Sequence, residues 1–180
     1  MSVVAFDNTM LSALLNPHNK SPVELSRERA ESVVFELEKS RSKIILPTPA
    51  CAELLTAIGP TAQQYIGTIS RSRLFEVGNF DARGAVELAI LNRGIFSELD
   101  QRDKLEPYQK IKVDRQIIAI CRVYDVYELY TDDIGLAKRA KMCGIITIGF
   151  AEIIIPEKEK QTNLELEPHD TLPEAENEIE

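Results

Sequence analysis

The chain opens with "SVVAF", a β-branched run at 2–6 without polar alternation, as a strand covered on both faces of a parallel sheet requires. Four more strand-like segments follow: "KIILPTP" at 43–49, "RLFEVGNF" at 73–80, "YELYT" at 127–131 and "IITIG" at 145–149. Helix-length stretches separate them. "NTMLSALL" reads as a short helix closed by Asn16-Pro17, and 24–40 as an amphipathic helix with Leu25, Ala30, Val33, Val34 and Leu37 inward. "ACAELLTAI" is stopped by Gly59-Pro60, "TAQQYIGTIS" is helical, and 81–98 forms a helix interrupted near Gly94. Residues 112–125 and "DIGLAKRAKMC" supply the last two helices. Strands alternating with helices in this way specify an α/β fold, a three-layer α/β/α sandwich around a mainly parallel sheet.

The expected domain spans 1–156. Beyond it the apolar periodicity stops, and 157–180 is a Pro/Glu-rich acidic tail, expected to be flexible. This tail distorts the overall charge of −8. Of 29 acidic and 21 basic residues it holds nine and two, which leaves 20 and 19 for a nearly neutral body. Such a body remains compatible with a local basic patch for nucleic acid. No apolar run approaches the roughly 20 residues needed to span a bilayer, and "MSVVAFDN" lacks the features of a signal peptide. The expectation is a soluble cytoplasmic protein with no membrane partner.

Cys51, Cys121 and Cys143 are isolated, odd in number and set in apolar helical segments, so they read as buried small hydrophobes. Neither His18 nor His169 has the spacing to join them in a zinc site. A metal bound here would be held by carboxylate oxygens, which favours Mg²⁺ or Mn²⁺.

The acids stand against the apolar pattern. Asp7 ends the first strand, and Asp132 and Asp133 end the fourth, where α/β sheets form their crevices. Asp114 shares one helix face with Ile117, Ile118 and Cys121, and Glu53 stacks with Ala50 and Ala57. Each has an ordinary explanation. Asp7 can cap a helix, Asp114 and Asp133 can meet a helix macrodipole, and Glu53 can pair with an arginine. Taken together they imply four carboxylates converging at one end of a sheet. No His, Cys or Gly-rich phosphate loop suggests another chemistry.

The ordered set "VVAFDNTMLSALL", "ILPTPACAELL", "KVDRQIIAICRVYDV" and "YELYTDDIGLAKRAKMCGIITI" resembles the PIN-domain ribonucleases, including toxins of toxin–antitoxin pairs. The resemblance covers residues 3 to 150. It implies a Mg²⁺- or Mn²⁺-dependent ribonuclease, an endonuclease in preference to an exonuclease, whose metal-bound water attacks an RNA phosphodiester. By position, Asp7, Glu53, Asp114 and Asp133 match the family's acids. Asp7, Asp114 and Asp133 are then metal ligands, with Asp132 as an auxiliary and Thr131 as the threonine of the fourth motif. The family's first motif often reads Asp-Thr-Asn, where this chain has Asp7-Asn8-Thr9, which leaves open whether Asn8 or Thr9 orients the site. Arg115, Lys138, Arg139 and Lys141 are candidates to contact RNA phosphates, or else form a solvated helix face. An antitoxin-like partner and a homodimer also follow from the resemblance. One rival reading keeps the fold as a catalytically inactive binding or assembly module. A phosphorylation receiver does not fit, because its acidic pair comes early and a lysine follows its fifth strand.

Overall fold

The computed structural model describes residues 2–16, 21–59, 67, 69, 71–97 and 107–156. The expected acidic tail, and nearly all of the helix expected at 61–70, lie outside the described residues. Five strands form one sheet: β1 (Val3–Phe6), β2 (Lys43–Pro47), β3 (Phe75–Gly78), β4 (Glu128–Tyr130) and β5 (Ile146–Ile148). Their spatial order is β3-β2-β1-β4-β5, and every pairing is parallel. The described helices are α1 (Asn8–Leu15), α2 (Ser26–Lys39), α3 (Thr48–Ile58), α4 (Ala82–Arg93), α5 (Tyr108–Val123) and α6 (Ile134–Met142). A short 3-10 turn, Phe150–Glu152, follows β5.

Parallel pairing requires crossovers, and the helices that supply them bury both faces of the sheet. Val4, Ala5, Phe6, Ile44, Ile45 and Leu46 are all buried, whichever face each points to. On the helical side, α1 packs with α2 and α3, while α5 packs with α4 and α6. The fit between α5 and the sheet is close. A Cβ at Gly78 would fall 2.6 Å from Ile45 Cγ2 and 2.7 Å from Ile120 Cγ2, so β3 must end on a residue without a side chain. The three cysteines are buried and free, as expected.

Several boundaries differ from expectation: the helix expected over 81–98 ends at Arg93, with Gly94 as its C-cap. Leu25 does not point inward: it is exposed and takes a left-handed φ of 55° just before α2 begins at Ser26. Ala30, Val33 and Leu37 are buried as expected, and Val34 is partly buried against the core. Helix α5 starts at Tyr108, four residues earlier than expected, because Pro107 with φ −58° sets the first turn. Two consequences follow. Lys110 becomes helical, and Asp114 moves out of the first turn, where the macrodipole would have accounted for it.

The chain builds outward from β1 through β2 to β3, then returns to place β4 on the other side of β1 and β5 beyond it. The strand order therefore reverses between β1 and β4. Ligands of doubly wound sheets bind at such a reversal, outside the carboxyl ends of the strands. Asp7 follows β1 and Thr131-Asp132-Asp133 follows β4, so both lie there.

Candidate active site

Asp7 is the N-cap of α1, and its side chain is almost fully enclosed at 3% exposure. Its Oδ1 accepts hydrogen bonds from the backbone N–H of Thr9 (2.9 Å) and Met10 (3.2 Å) and from the Thr9 hydroxyl (2.7 Å). Its Oδ2 accepts from the buried Thr131 hydroxyl at 2.5 Å. Burial raises the Asp7 pKa to about 6, against these bonds from Thr131, Thr9 and Met10, which pull it down. The carboxyl is thus held at a cost that its four donors offset only in part.

The two threonines continue the web to the next strand. Thr131 Oγ1 also accepts from Asp133 N (3.0 Å), and Thr9 Oγ1 from Asp132 N (3.0 Å). Two hydroxyl bridges therefore lock the end of β1 to the end of β4. Thr9, and not Asn8, makes these bonds. Asn8 Oδ1 instead accepts from Ser12 Oγ on its own helix at 3.1 Å. Asp132 Oδ1 accepts from Phe150 N (2.7 Å), which clasps β4 to the turn after β5. A Cβ at Gly149 would stand 2.8 Å from that oxygen, so the clasp closes over a glycine.

Asp133 does cap a helix: its Oδ1 accepts from Leu136 N at 3.0 Å. Its Oδ2 pairs with Lys110 Nζ at 2.8 Å. Partial burial raises its pKa, but the Lys110 ammonium and the N–H groups of Leu136 and Gly135 outweigh that and hold it below the ordinary value. Glu53 sits at the middle of α3 and is exposed. The expected apolar surround is only half present, since Ala50 is buried but Ala57 is exposed. Loss of water around the Glu53 carboxyl raises its pKa and the Asp133 charge raises it further, while Lys110 pulls it down. Glu53, Asp133 and Lys110 thus share one field where α3 approaches α5. Lys110 went unnoticed in the sequence. Its signal was the spacing to Asp114, one helical turn away on the same face of α5.

Asp114 is buried at 4% exposure, beside Ile117, Ile118 and Cys121 as the spacing predicted. Its Oδ2 accepts from Arg139 Nη1 at 2.7 Å. This corrects the assignment of Arg139 to RNA, because a guanidinium 2% exposed is not on a surface that a phosphate chain could follow. Arg115 is corrected for the same reason. It is buried, donates from Nη1 to Asn92 Oδ1 (3.1 Å) and lies 4.8 Å from the Phe96 ring centre. Lys138 and Lys141 remain exposed. They line a groove of about 560 Å³ together with Thr131, Asp132 and Asp133. A second cleft of about 600 Å³, bordered by Asn8, Thr9 and Ser12, shares Asp132 and Asp133 with it.

Oxygen-only donors suit a hard divalent ion. Among the described residues, no group of three or more His, Cys, Asp or Glu side chains is arranged to hold an ion as it stands. Two of the acids already carry protein cations. The Lys110–Asp133 pair is 43% and 24% exposed, a surface pair worth about 0–1 kcal/mol that an incoming ion can displace. The Arg139–Asp114 pair is 2% and 6% exposed, and removing one partner of such a pair costs about 3–5 kcal/mol. Asp133 and the exposed Glu53 are thus open to an incoming ion, whereas the Asp114 carboxylate is already neutralised in the core.

A five-stranded parallel sheet with helices on both faces and acids at its reversal defines a doubly wound α/β fold. Among solved structures, the chain is similar to VapBC2 from Rickettsia felis bound to a DNA fragment from their promoter. The TM-score is 0.55 and the identity 17%, over 82% of this chain and 98% of that one. It is also similar to VapC20 of Mycobacterium tuberculosis, a sarcin-ricin loop cleaving toxin. There the TM-score is 0.50 and the identity 18%, over 76% of this chain and 94% of that one. At these identities the likeness establishes the fold. No protein-family model and no curated protein sequence matches the chain. Among the described residues, no helix is long and apolar enough to cross a membrane.

Proposed function

We propose that the protein is a divalent-metal-dependent endoribonuclease, with Asp7 and Asp133 as principal ligands of a Mg²⁺ or Mn²⁺ ion and Glu53 at its rim. The observation that carries this reading is the Asp7–Thr131–Asp133 bridge at the strand reversal. It fixes a carboxyl with a pKa near 6 in a place where a cation would favour its ionised form. When bound, such an ion supplies an activated water and neutralises charge on the scissile phosphate. Thr131 and Thr9 orient Asp7, and Asp132 braces the wall of the cleft through Phe150. Lys138 and Lys141 hold the RNA backbone along the groove beside Asp133. Glu53, with its raised pKa, is placed to accept or return a proton.

An RNA substrate accords with the similar structure described as a sarcin-ricin loop cleaving toxin. VapBC2 is a further similar structure, and an antitoxin-like partner for this chain is proposed on that analogy. The test is cleavage of mixed RNA with Mn²⁺, Mg²⁺ or EDTA, by wild type and Asp7→Asn. Cleavage that both EDTA and the substitution abolish is the expected result; equal activity of the two proteins would overturn the site. A specific observation also favours a non-catalytic module, namely that Lys110 and Arg139 already neutralise two of the acids. A folded wild type with neither cleavage nor Mn²⁺ binding would establish that reading instead.

A further inference from the structure

Among the described residues, Lys110 and Arg139 face acids of this site, and they differ in one physical respect. Lys110 reaches Asp133 from an exposed position and can swing into water when a divalent ion arrives. Arg139 has no such freedom. It is the largest fully buried side chain in the described protein, on the face of α6 that also carries the buried Leu136 and Ala140. Its guanidinium meets Asp114 inside the packing between α5 and α6. The helix macrodipole gives no separate reason for an acid at 114, which is the seventh residue of α5.

For a divalent ion to bind Asp114, one of two things must happen. The ion shares a buried carboxylate with the guanidinium, setting like charges side by side without water between them. Otherwise Arg139 leaves the core, although it is packed on all sides. Both are strongly unfavourable. The sequence has therefore put a permanent cation where a second metal would have its ligand. An arginine suits the purpose because it stays protonated at any relevant pH and is more weakly hydrated than a lysine.

We propose that Arg139 is the resident counter-cation of Asp114, so that the site takes a single divalent ion at Asp7 and Asp133, and Asp114 is not a ligand. This rests on the metal-dependent reading above.

The test is Mn²⁺ binding to the full chain, with free Mn²⁺ read by electron paramagnetic resonance and folding checked by circular dichroism. Four proteins are compared: wild type, Asp7→Asn, Asp114→Asn, and the double variant Asp114→Leu with Arg139→Leu. Asp114→Asn keeps an acceptor for Arg139, while the double variant removes both charges together, which buried pairs often tolerate. The expected result is one Mn²⁺ per wild-type chain. Asp7→Asn should weaken it more than about tenfold, whereas whichever Asp114 variant folds should stay within about threefold of wild type. Two ions per wild-type chain, or a loss of about tenfold or more in a folded Asp114 variant, overturns the inference and leaves the metal reading standing. No Mn²⁺ on the wild type overturns both.

Discussion

Replacing Asp7 by Asn should abolish the proposed activity and yet stabilise the metal-free protein at neutral pH. The Asp7 carboxyl has its ordinary pKa of 3.8 in the unfolded chain and about 6 in the folded one, where burial disfavours its charge. Below pH 3.8 it is protonated in both states, and ionisation costs the fold nothing. Between 3.8 and about 6 the unfolded chain releases its proton while the folded chain keeps it, so stability falls as pH rises. Above about 6 the full penalty is present, and at 1.36 kcal/mol per pKa unit it amounts to about 3 kcal/mol. An asparagine escapes this term at every pH. Its oxygen can still accept from Thr9 and Met10, but its amide nitrogen faces the Thr131 hydroxyl, which must turn round and lose its charged acceptor. That loss is on the order of 1 kcal/mol. The expected outcome is a variant about 1 kcal/mol less stable than wild type near pH 3 and about 2 kcal/mol more stable at pH 7.5. The assay is urea unfolding in EDTA at both pH values, followed by far-UV circular dichroism because the chain has no tryptophan. A stability difference that is the same at the two pH values would refute the reasoning.

Thr131→Val keeps the shape of the side chain but removes the donor to Asp7 and the acceptor for Asp133 N. It should cost about 2–3 kcal/mol, since one of the lost bonds goes to a carboxyl group. For a chain of this size that lowers the melting temperature by very roughly 4–12 °C. Thr131→Ser retains the hydroxyl and should recover most of the loss; equal melting temperatures for the two variants would exclude the bridge as the cause. Lys138→Ala combined with Lys141→Ala leaves stability unchanged, because both residues are exposed. The pair should weaken RNA binding and reduce the slope of log K against log salt by about 1.4, two phosphates at about 0.7 each on a single strand. An unchanged slope would remove them from the interface.

The strands were legible because a sheet covered on both faces demands continuous apolar runs, and Pro47 and Gly78 punctuate two of them. Their order was not, since no strand sequence states which neighbour it pairs with. The early start of α5 was missed because "YQK" carries no apolar signal, and only Pro107 marked the position. Arg139 shows the opposite failure. At three and four residues' spacing it shares a face with Leu136 and Cys143, both buried, so periodicity already placed it inside. Its charge, and its place between Lys138 and Lys141, suggested the surface. Leu25 was assigned inward by its hydrophobicity, although a left-handed residue ahead of a helix does not continue that helix's face.

The sequence by itself determined the α/β class, the five strands, and the location of Asp7 and Asp133 at strand ends, because periodicity and strand termini are local properties of the chain. Only the tertiary structure decided what each acid meets. Hydrogen bonds and ion pairs join residues more than a hundred positions apart in the case of Asp7 and Thr131, and 25 apart for Asp114 and Arg139. Four carboxylates that look equivalent along the chain become different chemical groups: one enclosed by hydroxyl and amide donors, two sharing the field of a displaceable lysine, and one neutralised in the core. Solvent exposure makes that difference, since the same opposite charge is a weak and exchangeable partner in water and a fixed one where water is excluded.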